Sequence, residues 1–117
     1  MGVSACKTDR GVEHANFETR AGTQDDEIVI VASGEIDLAA AVGLRAEISA
    51  AVGRSPDVVV VDLADAGFID SSGIDALVRG YRSAERAGIE LVVQSPSPFC
   101  RRALEITTLN EIVKIRD

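Results

Sequence analysis

The sequence predicts an α/β fold, a mostly parallel sheet with one antiparallel edge strand and three or more helices. Three observations carry the prediction. Short apolar runs with strand character alternate with segments of helical periodicity, the pattern of successive β–α–β units. The run Val58-Val59-Val60-Val61, closed by Asp62, is continuous and β-branched, as suits a central parallel strand buried on both faces. The first two strand-like segments are joined by a short polar link containing Gly22, which favours an antiparallel hairpin.

Residues 1–13 lack periodicity and read as a flexible leader, so the folded domain is expected over 14–117. His14 to Arg20 alternates weakly, with Ala15, Phe17 and Thr19 on one side, and is predicted as the edge strand. Glu27 to Ser33 follows as an interior strand, its apolar centre running from Ile28 to Ala32. Gly34-Glu35-Ile36-Asp37 ends that strand, and Asp37 can cap a helix over 38–52. Ala41, Leu44, Ile48 and Val52 are spaced for burial, and Gly53 suits the position just past the helix. The central strand is expected over Val58–Leu63, with a loop from Ala64 to Asp70 and a second helix over 71–87. Ile74, Leu77, Val78 and Tyr81 mark its apolar face, with Asp75, Arg79, Arg82 and Arg86 on a polar flank. Gly88 ends it. Ile89 to Val93 is the next strand, and Ser97-Pro98 opens a third helix as cap and first residue. Phe99, Ala103 and Ile106 are expected to face the core, and Glu111 to Ile115 to form the last strand.

At 117 residues the chain is one domain with enough length for a real core. Aromatic residues are only 3%, so that core must be built from Val, Ile, Leu and Ala. A net charge of −7 argues against nucleic acid and anionic membrane as partners. No apolar stretch is long enough to span a bilayer, and MGVSACKTDR lacks the apolar region of a secretory signal, so a cytoplasmic protein is expected. Two cysteines, Cys6 and Cys100, make no disulfide framework; Cys100 reads as a free thiol, buried or half-buried in the third helix.

The catalytic inventory is poor. The only histidine, His14, sits on the expected edge strand, so no Ser-His-Asp or Cys-His arrangement can be assembled from the core. No Cys-x-x-Cys or His pair offers a metal site, and the glycines of residues 64–73 have no Walker lysine beside them. Receiver-type phosphate chemistry would need an acidic cluster after the first strand and a lysine at a late strand end. Asp25 and Asp26 instead precede their strand, and Lys114 lies inside the last one. The chain is therefore expected to be a binding module, not an enzyme, and to need no cofactor.

What remains is the turn Asp70-Ser71-Ser72-Gly73, which a buried strand delivers to a helix N-terminus. Its plain structural reading is a cap, Asp70 or Ser71 accepting an orphan backbone N–H, with Gly73 merely tolerated in the first turn. That reading is compatible with a switch, because a helix N-terminus tolerates a phosphate. Extrapolating the second helix backwards points Ser72 more squarely to solvent than Ser71.

Phe68-Ile69-Asp70-Ser71-Ser72-Gly73-Ile74 resembles the phosphorylation motif of the anti-sigma factor antagonists, small members of the STAS superfamily. Gly34-Glu35-Ile36-Asp37 is similar to the family's earlier Gly-Glu-hydrophobic-Asp, and the resemblance spans about residues 14–116. It implies a STAS fold. It further implies that the unphosphorylated form binds an anti-sigma factor with a GHKL-type kinase fold and so frees a sigma factor. That kinase, with ATP and magnesium in its own site, would phosphorylate the serine directly after the motif aspartate, here Ser71. A manganese- or magnesium-dependent PPM-type phosphatase would reset the switch. The implied partner surface comprises Gly34, Glu35, Asp37, Asp70, Ser71, Ser72, Gly73 and Asp75. Two departures concern only the terminal packing: many relatives carry another helix after the last strand, and Thr107-Thr108 stands where a glycine is often found. The alternatives are a STAS module regulating a non-sigma partner, such as a cyclase or transporter, and a small nucleotide-binding protein or enzyme.

Overall fold

A computed structural model of the chain describes residues 15–22 and 26–117. The expected leader, Cys6 and His14 lie outside the described residues, as does the link at 23–25. The valine run organises the sheet. It opens β3 (Val58–Ile69), which lies in the middle of five strands ordered β1 (Asn16–Ala21), β2 (Glu27–Ile36), β3, β4 (Glu90–Gln94) and β5 (Lys114–Arg116). The first pair is antiparallel and the other three are parallel, as predicted. The crossovers carry α1 (Leu38–Gly53), α2 (Ser71–Arg86) and α3 (Pro98–Ile106).

Because strand order follows chain order, each crossover steps the same way and all three helices pack on one face. On that face Ile28, Ile30, Val59, Val61, Leu91 and Val93 meet Leu44, Ile48, Leu77 and Leu104 in one core. The alternate residues Val29, Val60 and Val92 form a second, smaller cluster on the opposite face, and Val60 has no exposed surface. The central strand is thus buried on both sides. Beside that cluster, Asp62 accepts from Gln94 (3.0 Å), and Gln94 accepts from Arg116 (2.8 Å). Arg116 also pairs with Glu27 at 3.2 Å, so the buried Glu27 carboxylate is not left alone. Lys114 takes no part in this chain of contacts and pairs loosely with Glu90 (4.0 Å), not with Asp62.

The structure corrects several expectations. The segment Ala64–Ile69 is strand, not loop: Asp65, Ala66, Phe68 and Ile69 pair with Ser33, Gly34, Glu35 and Ile36 across two register shifts. Its other edge, where β4 has ended, is closed by the start of α3. There the Ser97 hydroxyl and the Cys100 thiol both donate to the Ala66 carbonyl (2.5 and 3.2 Å). That anchoring turns α3 so that Cys100 and Leu104 are its buried residues. Phe99, 47% exposed, instead packs on Phe68 (5.1 Å between rings), and Ile106 is 70% exposed. In α1 the buried residue of the last turn is Ala51, with Val52 half-buried, and Gly53 is still helical. The left-handed residue that ends α1 is Ser55, φ 57°, whereas Gly88 takes φ 74° after α2 as expected. Thr108, one of the Thr107-Thr108 pair that stands where the resemblance leads to an expected glycine, also adopts φ 58°, a strained conformation for a β-branched residue. A short 3-10 turn, Leu109–Glu111, follows it, so β5 spans Lys114–Arg116 and not the expected Glu111 to Ile115. Among the described residues, no helix is long and apolar enough to cross a membrane.

Two outcomes follow from this packing. Val59→Asp would bury an unpaired charge, and its penalty of several kcal/mol is comparable to the about 5–15 kcal/mol that holds a domain together. The variant should be insoluble or lack a cooperative melt. Burial raises the pKa of the Cys100 thiol against a smaller opposing effect from Ser97, so little reactive thiolate is present at neutral pH. Iodoacetamide should leave the Cys100 peptide unmodified in the native protein and alkylate it in denaturant, as read by peptide mass mapping.

Candidate functional site

In a parallel sheet, the helix that follows each strand begins at the sheet's carboxyl edge. Here that edge brings the two sequence motifs together. The extended outer halves of β2 and β3 run side by side, with Ile36 opposite Ile69, and the Asp70 N–H donates to the Ile36 carbonyl at 3.2 Å. Each strand then ends on an aspartate that caps a helix. Asp37 Oδ1 accepts from the Ala40 N–H (3.0 Å), and Asp70 Oδ1 accepts from those of Ser72 (2.9 Å) and Gly73 (3.2 Å). Asp70, not Ser71, is therefore the cap of α2, and the serine is left as the first helical residue.

Gly73 is more than tolerated. A Cβ built there would lie 2.5 Å from Ile69 Cγ1 and 2.9 Å from Ile36 Cγ2. Both isoleucines are almost fully buried, so neither has room to yield. Their side chains come one from each motif, and α2 rests its first turn directly upon them.

This contact sets the rotation of α2. Its buried arc is Gly73, Ala76, Leu77, Gly80 and Ala84, mostly small residues, while Ile74, Val78 and Tyr81 are half-buried beside it. The arc is turned by about a quarter of a circle from the one the large apolar residues suggest. As a result Ser71 is exposed and Ser72 half-buried, the reverse of the backward extrapolation. Of the other expected site residues, Glu35 and Asp37 are exposed, Asp70 and Gly34 half-buried, and Gly34 takes φ 88° at the second register shift. Asp75 is exposed and bonded to Arg79 one turn on (2.7 Å), a pair of small energetic weight.

Sequence reasoning missed Leu38, Val42 and Arg45. With Ala41, Ser71, Ser72 and Asp75 they line a hollow of about 310 Å³ between the starts of α1 and α2. Leu38 is 70% and Val42 65% exposed, an apolar patch beside the Ser71 hydroxyl. The signal was available: both lie off the Ala41, Leu44, Ile48 stripe, and so had no place in the core. Among the described residues, no three His, Cys, Asp or Glu side chains gather as metal ligands. Gly73→Ala should cost about 1–3 kcal/mol through overpacking. Denaturant unfolding would measure it, and an unchanged midpoint would mean that α2 does not rest on the two isoleucines.

The arrangement is that of a known family. The STAS domain profile matches residues 18–117. An anti-sigma-B factor antagonist of Listeria monocytogenes is 29% identical over 92 residues, 79% of this chain and 81% of that protein. Among solved structures, an anti-sigma factor antagonist from Mycobacterium paratuberculosis superposes with a TM-score of 0.70 at 29% identity, covering 86% of each chain. The anti-sigma factor antagonist SpoIIAA in its unphosphorylated form gives 0.73 at 23% identity, covering 87% of this chain and 89% of its own. SpoIIAA of Bacillus in the phosphorylated form gives 0.67, also at 23% identity, covering 87% and 92%. The chain belongs to the STAS domain family, and its fold is that of the anti-sigma factor antagonists.

Proposed function

We propose that this protein is a cytoplasmic anti-sigma factor antagonist working by partner switching, with Ser71 as the switch. Unphosphorylated, it binds an anti-sigma factor of GHKL kinase fold through the edge formed by Gly34, Glu35, Asp37 and the Asp70–Asp75 turn, and thereby releases a sigma factor. Phosphorylation of Ser71 by that kinase dissolves the complex, and a PPM-type phosphatase restores it. The observation that carries the reading is Ser71 itself, an exposed hydroxyl on the first residue of α2, beside the exposed Leu38 and Val42. The relatives bearing the antagonist name, and the two forms in which SpoIIAA is known, support it.

The chemistry follows from the position. A phosphate at Ser71 meets the positive end of the helix dipole, so the fold should survive the modification. The same group brings about −1.5 to −2 charge to an apolar patch that a partner would otherwise dehydrate. The exposed carboxylates of Asp37 and Asp75 reinforce its field. Stability and binding are thus expected to separate.

Incubation with the cognate kinase and ATP should add one phosphate, at Ser71; mass spectrometry finding it on Ser72, or nowhere on this turn, would overturn the assignment. Ser71→Ala should hold the anti-sigma factor even with ATP present. Ser71→Glu leaves a poorly paired charge in the interface, at a cost of about 2–5 kcal/mol, or about 30- to 4000-fold in affinity, while melting near wild type. Titration calorimetry showing wild-type affinity for a folded Ser71→Glu protein would rule out the mechanism.

A further inference from the structure

We infer that the trough between α1 and α2 is a second docking surface, which takes an acidic amphipathic segment of a protein partner. Its walls are two rows at helical spacing, Arg45 and Ser49 on α1, and Arg79, Arg82, Ser83 and Arg86 on α2. Its floor is closed by Ile48 and Gly80, both buried, and the apolar surface it exposes comes from Val42 and Ala46. A Cβ on Gly80 would come within 2.8 Å of Ile48 Cδ1, so the helices meet there closely enough to seal the bottom, with Ala46 alongside. The trough encloses about 590 Å³. From Arg79 to Arg86 it runs about 10 Å, the length of about two helical turns.

Charge decides what such a trough would hold. The chain carries −7 overall and only 12 lysines and arginines. Four of those, Arg45, Arg79, Arg82 and Arg86, line this one surface, and no carboxylate joins them among the described lining residues. Only Arg79 has an ion-pair partner among the described residues, Asp75 at the end of the trough. Guanidinium forks favour carboxylates in bidentate geometry, and the exposed Val42 and Ala46 beside them favour an apolar side chain. An amphipathic segment with glutamates or aspartates flanking aliphatic residues supplies both. A free phosphate or nucleotide fits less well. Both helix N-termini lie at the far end with Ser71, and no aromatic ring among the lining residues offers a base a stacking surface. Val42 and Arg45 also line the hollow at Ser71, so the two surfaces are continuous. The trough itself requires no modification of Ser71.

The test is a nitrogen-15 amide-shift titration of the full chain with a synthetic Glu/Leu amphipathic helical peptide. Parallel titrations use its Lys-for-Glu counterpart and inorganic tripolyphosphate. The acidic peptide should shift amides of Arg45–Ser49 and Arg79–Arg86, and the basic one should not. Arg82→Glu with Arg86→Glu should weaken the acidic peptide about tenfold or more, and Arg82→Gln with Arg86→Gln by less. Both arginines are exposed, so these proteins should keep dispersed spectra, which the same experiment reads. Shifts located elsewhere, equal binding of the basic peptide, or affinity indifferent to charge reversal would overturn the proposal. So would tripolyphosphate binding without peptide binding, which would make the trough a site for small anions.

Discussion

The first turn of α2 can sit where it does only because residue 73 lacks a Cβ, and much of the site depends on that contact. With Gly73 lying on Ile36 and Ile69, the helix start is seated on the ends of two paired strands. The hydrogen bond from the Asp70 N–H to the Ile36 carbonyl locks the same joint from the backbone side. Ser71 is therefore carried on two buried strands and a capped helix, and not on a mobile loop. In the proposed switch, a phosphate there would act on a surface of defined shape.

The same capping device occurs twice at this edge, with different consequences. Asp37 and Asp70 have nearly the same extended backbone (φ −97°, ψ −167° and φ −105°, ψ −172°), and each satisfies N–H groups of its helix. After Asp37 comes Leu38, which holds an apolar side chain in water; after Asp70 comes Ser71, which holds a hydroxyl there. One helix start offers surface that gains by being covered, and its neighbour offers a hydroxyl whose phosphorylation, in the proposed switch, would oppose covering. Their adjacency follows from the parallel sheet, because both helices must begin at its carboxyl edge.

Small residues set the geometry beyond the turn as well. The core is aliphatic, and the helix–helix contact behind the site is made by Gly80 against Ile48, without aromatic infill. The helices approach closely, and the long arginine side chains are left standing along the rim of the trough. An acidic chain thereby acquires one basic surface.

The sequence alone determined the order and type of nearly every element, since valine runs, capping aspartates, Ser97-Pro98 and Gly88 each act through local sterics and hydrogen bonding. It also placed Asp70-Ser71 at the junction of a buried strand and a helix start, because the two residues are contiguous in the chain. Three features were decided only by tertiary structure. Ala64–Ile69 has little intrinsic strand character and became a strand because Ser33–Ile36 pairs with one edge while Ser97 and Cys100 hold the other. The faces of α2 and α3 were misread because periodicity weighs large apolar residues. Close packing instead buried Gly73, Ala76, Gly80 and Ala84 in one helix and Cys100 and Leu104 in the other. That rotation exposed Ser71 in preference to Ser72 and assembled Leu38, Val42 and Arg45 beside it from a different helix. Such an arrangement rests on contacts between residues distant in sequence, and no local pattern in the chain encodes it.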